Sequence, residues 1–218
     1  MGKVNCGILD GFMGKVGTVV GSFWKGIPVM RAYNRNKRDA QTELQLIQRM
    51  RFKALSQLAS GFLDATVVGM RNVASSRKMT ESNIFMMLNA DKVTATSLDS
   101  LNVDYSGLAV AYGPLPQVGF AAPNFDTPQK VKVAFNANLE YRYASADDEV
   151  YVFAYCPDAG CGVMSEPVLR NDGTIEVTVP ALWNGLKVHL WGFALGAKTN
   201  ERAGQTSDST YIGSGNIG

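Results

Sequence analysis

The chain has 218 residues, of which 46% are hydrophobic and 18% are charged, and its net charge is +2. This composition is typical of a folded globular protein and excludes a mostly disordered chain. At this length the chain can form one large domain or two small ones, and we predict two.

The N-terminus and the cysteines bear on localisation. The first residues lack an apolar run followed by a small-residue cleavage site, so we predict no signal peptide, and Cys6 is interpreted as an ordinary thiol. No stretch approaches the roughly 20 apolar residues of a membrane helix. Cys156 and Cys161 could form a small disulfide loop or half of a zinc site, but no second Cys or His pair completes four ligands. We therefore expect a virion or bacterial cytoplasmic location, with no metal and no cofactor.

Charge is distributed unevenly along the chain. Residues 1–88 carry 13 Lys and Arg against 5 Asp and Glu, a net charge of +8, whereas residues 89–218 carry 8 against 14, a net charge of −6. This asymmetry indicates two electrically different parts. We predict a basic Gly-rich arm with a helical domain at residues 1–96 and an acidic β-sandwich domain at residues 97–218.

Glycines punctuate the start of the chain, with β-branched and aromatic residues between them. The glycines are Gly2, Gly7, Gly11, Gly14, Gly17, Gly21 and Gly26. This pattern predicts short, sharply turned strands. The resulting arm could pair as a hairpin within its own domain, or it could add a strand to the sheet edge of another molecule.

A helical pattern follows the arm. From Asp39 onward apolar residues recur mostly at three- and four-residue steps, which predicts an amphipathic helix. Thr42 and Gln45 have the capping-box spacing, Asp39 is an alternative N-cap, and Gly61 is expected to end or kink the helix.

Two further helices are predicted before residue 97. The first covers Phe62 to about Asn72. The second begins after Thr80, whose hydroxyl can cap a helix from Glu81 to Asn89.

Beyond Ser97 the apolar period changes to two, which is typical of strands. We predict strands at residues 103–112, 131–141, 150–155, 175–179 and 188–195, with the strand at 150–155 apolar on both faces. Turn residues separate several of them, at Asp158–Gly160, Asn171–Gly173 and Asn184–Gly185. The expected architecture is therefore α+β, with an antiparallel sandwich of the immunoglobulin or fibronectin-III type.

Motifs for catalysis are weak. His189 lies within a predicted strand and is more typical of a packed strand residue, since no nucleophile or metal motif accompanies it. The stretch from Gly11 to Lys15 resembles the end of a phosphate-binding loop, but Val16 stands where Mg²⁺ chemistry needs Ser or Thr. The acidic run Asp147–Glu149 could attract a cation, although a solvated turn is the favoured interpretation. An enzyme is not predicted.

The basic half offers the best candidates for partner contacts. Aromatic and arginine side chains dominate the energetics of assembly interfaces. The residues predicted to bind a partner are Trp24, Lys25, Arg31, Arg35, Arg49 and Arg51. The same charges could hold phosphates while nearby aromatic rings stack on bases, or they could simply form a solvated face with ion pairs.

The stretch from Gly11 to Gly26, GFMGKVGTVVGSFWKG, resembles the opening of an uncharacterised protein family common in Bacteroidota genomes and in their phages. Further resemblance covers nearly the whole chain, at Thr42-Glu43 with Gln45, Gln48, Arg49 and Phe52, Val103–Ser106, Gly113–Leu115, Arg170 with Asp172-Gly173, Pro180 with Trp183 and Gly185, and Ser209 with Tyr211–Gly213. The resemblance implies no activity and no catalytic residues. Members usually enter the first helix through an Asn-Pro-Arg-Thr type segment, where this chain has Asp39–Thr42.

These observations lead to one main prediction about function and one alternative. We expect a non-enzymatic structural component of a large assembly, such as a phage or prophage virion, that docks through its basic half onto other protein subunits as part of a homo- or hetero-oligomer. The alternative is a nucleic-acid-binding accessory protein that uses the same basic half. No membrane partner is expected.

Overall fold

A computed structural model describes residues 2–3, 13–35, 41–199 and 201–218. The chain divides between Thr42 and Glu43 into two compact units. Predictions that concern Cys6, Gly11 and Asp39 fall outside the described residues.

The first unit is an antiparallel sheet of short strands. Its strands are β1 (Gly2–Lys3), β2 (Gly14–Val16), β3 (Val19–Trp24) and β4 (Ile27–Ala32). They lie in the order β1-β4-β3-β2. The predicted short, sharply turned strands are confirmed. Strands β2–β3 and β3–β4 form hairpins and β1 lies antiparallel to β4, and we call the four strands the arm sheet.

Four helices are present in the described part of the second unit. They are α1 (Glu43–Gly61), α2 (Leu63–Gly69), α3 (Arg71–Arg77) and α4 (Glu81–Asn89). Helix α1 follows Thr42 and ends at Gly61, as predicted. The prediction for α4 is also confirmed, because the Thr80 hydroxyl accepts a hydrogen bond from the Asn83 amide at 3.3 Å.

The helix predicted from Phe62 to about Asn72 is confirmed in part: α2 covers Leu63–Gly69, and the chain breaks at Met70 before α3 begins. Met70 is fully buried, with φ −122° and ψ 2°, outside the helical range. The preceding Gly69 packs closely on Ala111, since a Cβ added at Gly69 would lie 2.7 Å from the Ala111 Cβ. No helix among the described residues is long and apolar enough to cross a bilayer.

Strands follow the helices in three antiparallel groups. Their bounds are β5 (Val93–Ala95), β6 (Leu101–Val103), β7 (Gly119–Phe120), β8 (Asn124–Thr127), β9 (Lys130–Asn136), β10 (Glu149–Cys156), β11 (Cys161–Met164), β12 (Val168–Leu169), β13 (Thr174–Thr178), β14 (Lys187–Leu195) and β15 (Thr210–Asn216). Strands β5 and β6 form a hairpin. A central sheet has the order β11-β10-β14-β15, with β12 also on β10, and an outer sheet has the order β13-β9-β7, with β8 also on β9.

The central sheet is buried on both faces, as the sequence of β10 predicted. One face carries Phe153 and Trp191, which pack against the helices in a core that includes Phe62. The other face carries Val152 and Leu190, which pack against the outer sheet. The second unit therefore consists of three layers: helices, central sheet and outer sheet.

The division of the chain differs from the predicted boundary between residues 96 and 97. Helical residues and central-sheet residues share one hydrophobic core, whereas the arm sheet forms the other unit. The physical reason is that a sheet with two apolar faces needs a layer on each side, and the helices supply one of them.

The strand predicted at residues 103–112 is mostly wrong. Strand β6 ends at Val103, and a 3₁₀ turn follows at Tyr105–Gly107. The Asp104 carboxylate stabilises this turn by accepting hydrogen bonds from the Ser106 hydroxyl at 2.6 Å and the Gly107 amide at 3.2 Å. The strand predicted at 131–141 is confirmed only as far as Asn136, where β9 ends.

Only Asp147 of the acidic run Asp147–Glu149 lies in the exposed turn that we expected. Asp148 and Arg170 are fully buried and form an ion pair, with 3.0 Å between the Arg170 Nη1 and the Asp148 Oδ2. The Asp148 carboxylate also accepts hydrogen bonds from the amides of Ser145 and Ala197. The other guanidinium nitrogens of Arg170 donate to backbone carbonyl groups, at Ala137, Pro116 and Gln117. This pair joins four loops of the second unit.

Candidate docking surface

The arm sheet is organised around the β3–β4 hairpin. Six residue pairs face each other across it, from Val19 opposite Ala32 to Trp24 opposite Ile27. Lys25 and Gly26 form the turn, and their φ values of 46° and 75° are those that a two-residue type I′ turn requires. Because this turn fixes the register, it also fixes which side chains share a face.

One face of the arm sheet is basic and aromatic. Residues that lie opposite each other in antiparallel strands project to the same side, so Lys15, Val20 and Arg31 share a face. Trp24 lies on this face by alternation along β3. Tyr33 follows β4 on the same side, because the Lys15 Nζ lies 3.8 Å from the centre of its ring.

The opposite face of the arm sheet is apolar and uncharged in its described strands. It carries Val16, Val19, Phe23, Pro28, Met30 and Ala32, together with Gly14 and Gly21. Val16 is 64% exposed and Phe23 is 41% exposed. The only buried residue of β2, β3 and β4 is a glycine, Gly21. The arm sheet thus presents two chemically different faces. Its strands β2, β3 and β4 have no fully buried side chain, and six of their residues are partly buried: Val19, Val20, Ile27, Pro28, Val29 and Met30.

Cation–π contacts organise the basic-aromatic face. The Lys15 ammonium lies over the ring of Tyr33, and the Lys25 ammonium lies 5.8 Å from the ring centre of Trp24. Each such contact contributes about 0.5–1 kcal/mol at an exposed site. They hold positive charge next to aromatic surface, an arrangement that suits anionic groups and flat ligands.

The six residues predicted to bind a partner fall into separate groups. Trp24 and Arg31 share the basic-aromatic face, Lys25 lies in the adjoining turn, and Arg35 is exposed beyond the end of β4. The remaining two lie on α1 in the second unit.

Arg49 and Arg51 point in different directions on α1. Two residues along a helix differ by about 200° in direction, so these side chains do not share a face. Arg49 is exposed. Arg51 donates from Nε to the Val93 carbonyl at 2.9 Å and from Nη2 to the Ala90 carbonyl at 3.2 Å. Arg51 therefore ties α1 to the end of α4 and the start of β5.

A comparison with known protein families identifies the chain's relatives. The model of a family of unknown function, DUF6266, matches residues 11–213. The chain belongs to DUF6266. No curated protein and no solved structure matches the chain.

Two residues of the basic-aromatic face were not among those predicted to bind a partner. Lys15 and Tyr33 join Trp24 and Arg31 on one face, although Lys15 is separated from Trp24 by a turn and a strand. Alternation within each strand was visible in the sequence. The register between strands was not, because the glycines leave several pairings open.

His189 of the DUF6266 protein is a packed strand residue. Its Nδ1 lies 2.9 Å from the Tyr211 hydroxyl, and its ring stacks on Tyr105 at 4.5 Å between ring centres. Burial lowers the pKa of His189, and the charge of Lys187 lowers it further. Its surroundings are aromatic, and within the described residues no three His, Cys, Asp or Glu side chains are grouped to hold a metal ion.

Proposed function

We propose that the protein is a non-enzymatic structural component of a larger assembly, and that the arm sheet docks it onto another protein subunit. A phage or prophage virion is our leading candidate for that assembly. One observation supports the proposal above all, namely that the arm sheet has an apolar face and a basic-aromatic face but no fully buried side chain in β2, β3 and β4.

Energetics favour a partner for such a sheet. A small sheet needs a buried hydrophobic face to be stable in water, because burial of apolar area is its main source of stability. Contiguous exposed apolar surface on a folded protein marks sites of association. The basic-aromatic face adds specificity for an acidic protein surface, through the charges of Lys15 and Arg31 and the ring of Trp24.

The test measures association of the full chain. Electron microscopy of native particles from the source, with antibody against the protein, should show it as a repeated subunit. Purified protein should co-sediment with those particles, and Arg31→Glu should weaken co-sedimentation at least tenfold. Lys198→Glu, which changes the net charge equally at an exposed site of the second unit, should have no effect. A protein that stays monomeric and never sediments with particles would contradict the proposal.

A nucleic-acid-binding accessory role is the second candidate. The cation–π pair of Lys15 and Tyr33 beside Trp24 and Arg31 favours it, since backbone phosphates and stacked bases use this combination. If four cations contact phosphates, affinity for a single-stranded 20-mer should fall about 50-fold between 50 and 200 mM salt. Fluorescence anisotropy measures this slope, and no binding at 50 mM salt would eliminate this candidate.

We also propose that the two packed sheets form a sandwich of the immunoglobulin or fibronectin-III type. Two observations support this proposal. Both sheets are antiparallel, and they share one hydrophobic core, which includes Val133 of β9, Val177 of β13 and Val152 of β10. An experimental structure compared strand by strand with such sandwiches tests this: a different strand order would exclude it.

A further inference from the structure

A cleft lies on the second unit where α1, β6, the 3₁₀ turn and the β10–β11 turn meet. Its volume is about 510 Å³. This volume falls within the range of about 300–1,000 Å³ that is usual for small-molecule sites. The residues that line it are Ala54, Gln57, Leu58, Ser60, Leu101, Val103, Tyr105, Tyr155, Pro157 and Gly160.

Two tyrosines form the aromatic part of the cleft, and the fold holds both rings in place. Tyr155 is only 4% exposed, and its ring packs on Phe62 at 4.5 Å between centres. Tyr105 belongs to the 3₁₀ turn capped by Asp104 and stacks on His189. The two rings lie 6.2 Å apart. A ligand would therefore meet a preformed aromatic wall, which lowers the entropic cost of binding.

The hydroxyl groups of these two tyrosines have no hydrogen-bond partner among the described residues. Two tyrosines elsewhere in the second unit do have one: the buried Tyr151 donates to Glu149 at 2.6 Å, and the partly buried Tyr211 pairs with His189. Neither hydroxyl oxygen is fully buried: Tyr105 is only partly buried, and among the described residues the one buried side-chain nitrogen or oxygen without a partner is Nε1 of Trp191. Both hydroxyl groups are left available to a bound molecule.

A tyrosine hydroxyl is ordinarily protonated near neutral pH. Burial raises the pKa of Tyr105 further and raises the pKa of Tyr155 to about 12. Near neutral pH each phenol is therefore a neutral donor, suited to the oxygen atoms of a ligand.

Polar groups at the mouth can complement such a ligand. Gln57 and Ser60 are three residues apart on α1, so they lie on the same side of the helix and both line the cleft. The Ser60 hydroxyl donates to the Ser56 carbonyl at 3.2 Å, which leaves its oxygen free to accept. The Gln57 amide can donate and accept.

The lining contains no charged residue. A charge that acts on the cleft is the carboxylate of Asp158, which contributes to the raised pKa of Tyr105. An anionic ligand would meet this negative charge with no cation in the lining to offset it. A quaternary ammonium ion has no hydrogen-bonding group, so it would use neither the two phenol hydroxyls nor the amide of Gln57.

We propose that this cleft binds a neutral saccharide unit. A sugar ring has apolar C–H faces that can lie against the rings of Tyr105 and Tyr155. Its hydroxyl groups can accept from the two phenols and can exchange hydrogen bonds with Gln57 and Ser60. The cleft lies wholly within the second unit, and this inference does not depend on the arm sheet.

Calorimetric titration and saturation-transfer NMR of the full chain test the inference. The probes are maltose, cellobiose, lactose and N,N′-diacetylchitobiose, with glucuronic acid and choline as charged comparators. At least one neutral sugar should bind with a Kd on the order of 1 mM. Saturation of its ring C–H protons should be strongest on the face that meets the tyrosines.

Variants separate the cleft from the rest of the surface. Tyr105→Phe keeps the ring and should weaken binding about 2- to 10-fold through loss of one hydrogen bond, and Gln57→Ala should do the same from an exposed position. Tyr105→Ala should weaken binding more than 10-fold. Tyr141→Ala, which removes a 56% exposed tyrosine that does not line the cleft, is the matched control and should bind normally.

Any of three results would overturn the inference. The first is that no neutral sugar gives a saturable signal at concentrations of about 20 times the expected Kd. The second is that choline or glucuronic acid binds as tightly or more tightly, and the third is that Tyr105→Phe and Gln57→Ala leave sugar binding unchanged.

Discussion

The buried ion pair between Asp148 and Arg170 allows a quantitative prediction. Replacing Arg170 with Met keeps much of the side-chain volume but leaves the buried Asp148 carboxylate without its guanidinium partner, while the amides of Ser145 and Ala197 still donate to it. It also removes the guanidinium donor from the carbonyl groups of Ala137 and Pro116. Removal of one partner of a buried pair costs about 3–5 kcal/mol.

The measurement is urea unfolding followed by the fluorescence of Trp183 and Trp191, both of which are buried. With a denaturant dependence of about 2 kcal/mol per M, a loss of 4 kcal/mol lowers the unfolding midpoint by about 2 M. Asp148→Asn should give a loss of the same order, since it leaves the Arg170 charge unpaired. The double variant Asp148→Asn/Arg170→Met should be more stable than the sum of the two losses predicts.

An exposed pair in the outer sheet provides the control. Lys130 and Glu176 form a salt bridge at the surface, and an exposed pair is worth about 0–1 kcal/mol. Lys130→Met should therefore shift the midpoint by less than about 0.5 M. If Arg170→Met shifted it no further than Lys130→Met, the argument that this pair joins the loops would be refuted.

Three other changes should alter the free energy of unfolding. Thr80→Ala removes the N-cap of α4 and should cost about 1 kcal/mol, whereas Thr80→Ser should cost little; thermal melts that do not distinguish the two would count against the cap. Gly113→Ala places a Cβ 2.1 Å from the carbonyl oxygen of Thr206, so it should lower the free energy of unfolding in urea by about 1–3 kcal/mol. Gly119→Ala is the control: its Cβ would lie no closer than 3.5 Å to its nearest neighbour, so stability should change little. Because burial lowers the pKa of His189, the unfolded chain binds a proton that the folded chain does not, so stability should fall as pH drops through about 6.5. Urea titrations at pH 8 and pH 5.5 should show a smaller pH effect for His189→Gln, and an equal effect would contradict the assignment.

Local features of the fold could be predicted where short-range chemistry determines them. The cap at Thr80, the end of α1 at Gly61 and the doubly apolar strand β10 all follow from patterns within a few residues of each other. The break at Met70 could not be predicted, because it depends on how closely Gly69 approaches Ala111, which is 42 positions away in the chain.

The candidate sites were less visible in the sequence than the fold. Composition predicted a basic and aromatic arm, but only the strand register shows that Lys15, Trp24 and Arg31 share one face. The cleft was not predicted at all, since its residues come from three distant segments and Tyr105 was assigned to a strand. Asp148 looked like a solvated residue because its partner Arg170 lies 22 positions away.

The double burial of the central sheet has a consequence for how this chain can be cut and how it can evolve. A fragment that starts at residue 97 would expose the aromatic rings of Phe153, Trp191 and Phe193 to water, and such a surface favours aggregation. The helical segment is therefore not an exchangeable module. Substitutions on the inner side of α1 or α2 must be matched by changes on β10 and β14, so these segments are expected to change together over evolutionary time.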